Sequence, residues 1–151
     1  MQQPGQSYLD NKVVTASQPR LQLMLLEGAV RFSKQAQQLW KEDAGFASVD
    51  QSLSRVAEIL EELVRGASSG DSEISKSIED QYAAIYRELA SCRINQAPEL
   101  LDACLELLQY HRETWKLVCE QIEAEAKPPQ SPGAARIHLD FVPGESFSLE
   151  A

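Results

Sequence analysis

Apolar residues recur every three to four positions from Leu21 to Ile122, and no stretch in that span alternates with period two. The repeat matches the 3.6-residue turn of an α-helix and excludes a sheet as the main architecture. A chain patterned this way buries one face of each helix against another helix. With 151 residues, 43% of them hydrophobic and 25% charged, it is long enough to close one core. Gly and Pro number only seven each, and several fall at the two ends, so the middle lacks the punctuation that short strands need.

The pattern divides into four helical segments. In the first, Ser17 suits an N-cap and Pro19 the first turn. Leu21, Met24, Leu25, Gly28, Ala29, Phe32, Ala36 and Leu39 then share one face, which Leu23, Leu26 and Val30 widen. The second has the cleanest seam, Phe46, Val49, Leu53, Val56, Leu60, Leu63 and Ala67. The third starts at Asp71 or Ser72 and carries Ile74, Ile78, Tyr82, Ile85, Leu89 and Cys92. The fourth starts at Pro98 and shows two adjoining stripes. One is Leu101, Cys104, Leu108, His111, Trp115, Val118 and Ile122; the other is Leu100, Leu107, Tyr110 and Leu117. So wide an apolar arc belongs to a central helix or to one that carries a partner site.

The expected fold class is all-α, an antiparallel up-down four-helix bundle over residues 15–126. Its helices are expected at about 17–43, 46–66, 72–95 and 98–126. Residues 1–14 form a separate N-terminal segment. From Lys127 the chain reads as a Pro-rich linker, followed by an extended tail in which Ile137, Leu139 and Phe141 alternate with His138 and Asp140. Those three apolar residues are expected to dock on the bundle, or else the tail stays disordered or recruits another partner.

A net charge of −9 leaves no basic patch for nucleic acid and works against anionic membrane surfaces. No apolar run is long enough to cross a bilayer, and the N-terminus lacks the pattern of a secretory signal. Cys92, Cys104 and Cys119 are odd in number and widely spaced, which points to free thiols in a reducing cytoplasm rather than a disulfide framework or a zinc site.

Catalytic chemistry finds little support, and no catalytic, metal or cofactor residue is assigned. His111 lies on an apolar stripe and reads first as a core histidine. A phosphoacceptor is the sharper alternative, but Arg112-Glu113-Thr114-Trp115 follows it instead of the Lys and Gly of phosphotransfer bundles. Neither His111 nor His138 has Glu three residues before it, as a di-iron bundle requires. Gly66-Ala67-Ser68-Ser69-Gly70 is not a phosphate loop, because no Lys-Ser/Thr follows. Protein binding remains. The apolar residues outside the main seams are Leu23, Leu26, Val30, Ile59, Tyr86, Leu107, Tyr110 and Leu117. They are either buried by neighbouring helices or line grooves for an amphipathic segment.

The N-terminal third is more specific. Tyr8-Leu-Asp-Asn-Lys-Val-Val-Thr15-Ala16-Ser17, then Leu21-Gln-Leu-Met24-Leu-Leu-Glu-Gly28-Ala29-Val-Arg31-Phe32, resembles the flagellin export chaperones, the FliS family. Leu107-Leu108 and Arg112-Glu-Thr-Trp115 resemble the end of that family's last helix. The likeness spans residues 6–124. Two departures stand out: Gln18 precedes Pro19 where the family has Pro directly, and Leu26-Glu27 replaces a Tyr-acid pair.

The resemblance implies a cytoplasmic bundle, a monomer when free, that binds the disordered C-terminal segment of flagellin 1:1 in apolar surface grooves. It further implies that the chaperone prevents premature polymerisation and hands its client to a component of the flagellar export gate. Residues from about Ser7 to Val14 match a displaceable segment, with Tyr8 as its aromatic. The candidate partner-binding set is therefore Tyr8, Leu23, Leu26, Val30, Ile59, Tyr86, Leu107, Tyr110 and Leu117. A histidine phosphotransfer bundle using His111 and a self-associating structural bundle are the alternatives.

Overall fold

Among the described residues, four α-helices follow one another with short connections: α1 Gln18–Lys41, α2 Phe46–Ser68, α3 Glu73–Asn95 and α4 Pro98–Ala126. This computed structural model describes residues 18–126. Tyr8, the rest of the N-terminal segment and the tail from Lys127 lie outside the described residues. The chain separates into two compact units, residues 1–119 and 120–151. Of the second, residues 120–126 are described, and they are helical.

The helix ends follow from local chemistry. Between α1 and α2 the chain turns through Asp43 (φ 58°) and Gly45 (φ 91°), left-handed conformations that glycine adopts freely and Asp tolerates. Ser72 caps α3, its hydroxyl accepting the Ser75 N–H at 3.0 Å. Gln96 closes α3 in the left-handed region. Pro98 opens α4, where its missing N–H leaves no hydrogen bond unmade.

Every sequential pair of helices is antiparallel. Along α1 and α2, Gln22 lies by Gly66 and Gly28 by Ile59. Along α2 and α3, Asp50 pairs with Arg93 and Glu61 with Tyr86. Tyr82 and Ile85 of α3 meet His111 and Cys104 of α4. Gln37 of α1 donates to Asp102 of α4 at 2.7 Å and closes the ring of four. The fold is therefore the up-down four-helix bundle that the periodicity predicts.

Leu26, Val30, Val49, Leu53, Leu60, Tyr82, Leu89, Leu101 and Leu108 are among the side chains that form one continuous core. A Cβ at Gly28 would sit 3.3 Å from Ile59 Cδ1, so this glycine lets α1 and α2 approach closely. At the far end of the α2–α3 pair, the Arg93 guanidinium grips both oxygens of Asp50, at 2.7 and 3.0 Å. That bidentate hydrogen bonding holds the Asp50 carboxyl below its usual range.

The structure rotates α1 relative to the stripe read from its sequence. Gln22, Leu23, Leu26, Ala29, Val30, Ser33 and Ala36 face inward. Leu21 and Met24, expected on the core face, are 43% and 58% exposed. Ile74, in the first turn of α3, is exposed as well. On α4, Cys119 rather than Val118 is the buried residue of the final inward turn.

Candidate functional site

The two apolar stripes of α4 adjoin one another and differ in burial, with Leu100 of the second still packed against the core. Leu101, Cys104, Leu108 and His111 are buried in the core. Leu107, Tyr110 and Leu117, one helical face away, are 46%, 65% and 57% exposed. Ala103 and Thr114 are also exposed and complete an outward row spaced by four, three, four and three residues. Thr114 directs its hydroxyl to the Tyr110 carbonyl at 3.1 Å, which satisfies that oxygen locally.

Aromatic and polar groups fix this helix against its neighbours. The Trp115 indole N–H donates to the Tyr82 hydroxyl at 3.0 Å, and Tyr82 donates onward to Gln22 Oε1 at 3.1 Å. One chain of hydrogen bonds thus ties α4 to α3 and α1. Gln22 fits there because a Cβ on Gly66 would stand 3.2 Å from its Nε2. Burial pushes the Tyr82 phenol up to about 12, so it stays a donor at any physiological pH. The His111 ring meets Tyr82 edge-on at 5.1 Å between centroids and Tyr110 at 5.5 Å. Exposed Tyr110 therefore rests on a buried ring that is itself held by the core.

His111 is only 5% exposed, whereas a phosphoacceptor must present its imidazole to another protein. Desolvation lowers its pKa from 6.5. In the unfolded chain the same imidazole takes up a proton near its ordinary value, so below about pH 6.5 the unfolded state binds more protons and stability falls. Asp50 does not account for a loss there, because its depressed pKa lies below 3.8. Lowering the pH from 7.5 to 5 should therefore shift the urea midpoint downward, and His111→Phe should flatten that dependence. An unchanged slope in the variant would show that another group titrates.

A second surface lies between α2 and α3, a shallow groove of about 480 Å³ with Val64, Ala83 and Tyr86 as its apolar floor. Glu61, Arg65 and Arg87 border it, and Tyr86 donates to Glu61 at 3.1 Å.

The candidate residues named from sequence separate into three groups. Leu107, Tyr110 and Leu117 stand together on the outer face of α4. Ile59 and Tyr86 are half-buried, and Tyr86 lines the α2–α3 groove. Leu23, Leu26 and Val30 are buried, so a partner could not touch them without opening the bundle. Sequence reasoning passed over Leu21 and Met24, which are exposed on α1; only the phase of the helix, set by tertiary packing, reveals them. It also passed over the glutamates beside the α4 row, although their seven-residue spacing was visible.

All three cysteines are buried free thiols, and burial raises Cys92 to about 11 and Cys104 to about 12. Neither is thereby poised as a nucleophile. Among the described residues there is no cluster of three or more His, Cys, Asp or Glu able to hold a metal ion, and no helix long and apolar enough to cross a membrane. What the surface offers is apolar contact area on a helical frame. The family model of flagellar protein FliS matches residues 1–122. No curated protein matches the chain.

Proposed function

Because this chain belongs to the FliS family, whose members are flagellar export chaperones for flagellin, we propose that it holds the disordered C-terminal segment of flagellin in the cytoplasm as a 1:1 complex. The observation that carries this reading is the row of Leu107, Tyr110 and Leu117, large apolar side chains left open on α4. A flagellin helix would lay its own apolar face on this row. Another part of the client would occupy the α2–α3 groove beside Tyr86, with Ile59 contributing at the α1–α2 surface. The segment around Tyr8 would cover part of this surface until the client displaces it.

Sequestering the client's apolar residues blocks premature polymerisation, and the loaded bundle then passes flagellin to the export gate. The physics of such a complex is demanding. Ordering a disordered client opposes binding, and apolar burial at about 25 cal/mol per Å² must outweigh it. A client that wraps a large surface meets that requirement better than one confined to a small pocket.

Calorimetry with a peptide of the cognate flagellin C-terminus tests the reading. A 1:1 complex is expected, and the Leu107→Ala/Leu117→Ala double variant should bind about ten- to a hundredfold more weakly, the loss of two partly buried leucines. Absence of heat and of co-elution with the wild-type chain would remove flagellin from consideration.

A further inference from the structure

The outer face of α4 carries a charge pattern as regular as its apolar row. Glu99, Glu106 and Glu113 are spaced by seven residues and all are exposed. Glu106 immediately precedes Leu107, and Glu113 immediately precedes Thr114, so the acids run along one edge of the row. In a two-helix seam these are the flanking positions that choose a partner by charge. Among the described residues, no ion pair engages any of the three. The helix's own cations nearby, Arg112 and Lys116, fall farther round, toward the flank where Asp102 meets Gln37 of α1.

We propose that the segment held on α4 is a basic amphipathic helix, whose apolar heptad positions fill the Leu107–Tyr110–Leu117 row and whose Lys or Arg side chains face Glu106 and Glu113. This rests on the reading of that face as the client-holding surface and specifies the chemistry of what lies there. The row from Ala103 to Leu117 spans about 21 Å at 1.5 Å per residue, so it accommodates roughly four turns of a partner helix.

A second copy of this chain is the wrong occupant. Two antiparallel α4 rows would set one line of glutamates against the other, and like charges facing one another disfavour pairing. In a parallel pair the acids would face the position that here includes buried Cys104 and His111, which contribute no cation. His111, with its lowered pKa, is neutral at pH 7. A basic helix satisfies both the apolar row and the acidic edge.

The test uses the full chain and two synthetic 18-residue helical peptides, each with Leu at the heptad core positions. One carries Lys at the flanking positions and the other Glu. Calorimetry at low salt should show the Lys peptide binding at least tenfold more tightly, with the advantage shrinking at high salt. Leu117→Ser should abolish that binding. The Glu106→Lys/Glu113→Lys variant should reverse the preference; Glu99 is left intact because an acid in the first turn of α4 supports the helix. Both substituted positions are exposed, and circular dichroism melting establishes that the variant is folded. Equal affinity for the two peptides, binding of neither, or a preference unchanged in the double variant would overturn the proposal.

The flagellin peptide supplies an independent arm. If it binds the wild-type chain and the double variant equally well, the charge assignment fails and the chaperone reading stands. If it fails to bind while the Lys peptide behaves as expected, flagellin is excluded and the basic-helix class is retained.

Discussion

Replacing Leu26 with alanine should lower the stability of the bundle by about 2–5 kcal/mol, while Leu117→Ala should change it by less than about 0.5 kcal/mol. Both are leucines that a sequence pattern sets outside the main seams. Leu26 is fully enclosed within the core, and Leu117 is more than half open. Truncating the first removes buried methyl groups and leaves a cavity that the four packed helices fill only in part. Truncating the second removes area that water already reaches. Against a total of about 5–15 kcal/mol for a domain of this kind, loss of Leu26 is severe. Urea denaturation followed by circular dichroism reads both effects, with the midpoint moving and the m-value constant. For partner binding the order reverses: Leu117→Ala weakens it, and Leu26→Ala acts only through the fraction folded. A stable Leu26→Ala protein with impaired binding would place that side chain at the interface after all.

The second large effect is expected at Tyr82. Removing its hydroxyl in Tyr82→Phe deprives the Trp115 indole N–H of its acceptor and Gln22 Oε1 of its donor. Gln22 is buried and Trp115 half-buried, so the orphaned groups are only partly rehydrated. An unsatisfied buried polar group typically destabilises by about 1–3 kcal/mol, and that is the loss expected here. Tyr86→Phe is the control, because its hydroxyl partner Glu61 is exposed and water can replace the bond. Its effect should stay below about 0.5 kcal/mol. In a Trp40→Phe background the emission of Trp115 should also change in Tyr82→Phe and remain constant in Tyr86→Phe. Equal stability losses in the two variants would mean that the three-helix polar chain contributes nothing beyond a surface bond.

α1 and α2 differ in how much of their packing their sequences reveal. On α2, Val49, Leu53, Val56, Leu60 and Leu63 fall on a single narrow seam, and all five are buried. On α1, apolar residues cover more than half the circumference. The period then establishes a helix and leaves its rotation open. Two polar side chains, Gln22 and Ser33, occupy inward positions and disguise the buried face. Gln22 is there for its bond to Tyr82, a partner 60 residues away that no local pattern reveals. Ser33 lies inward although its hydroxyl has no partner among the described residues.

The same physics governs the candidate surface. Both stripes of α4 were legible, and the choice of which one enters the core is a tertiary decision. Once Cys104, Leu108 and His111 face inward, Leu107, Tyr110 and Leu117 must face out. Leu23, Leu26 and Val30 moved the other way for the corresponding reason, because α1 turns its Leu21 and Met24 edge to solvent. The resemblance to the family rests on something else, the particular residues around Thr15-Ala16-Ser17 and Gly28-Ala29, which helical periodicity does not determine.

A bundle that holds its client on an outer surface keeps its core closed. Methyl NMR of the full chain, titrated with the cognate flagellin C-terminal segment, tests it most directly. The methyl signals of Leu107 and Leu117 should shift and saturate at one equivalent, while those of Leu26, Leu53 and Leu60 stay in place. Large shifts throughout the core leucines, with Leu107 and Leu117 unmoved, would contradict it.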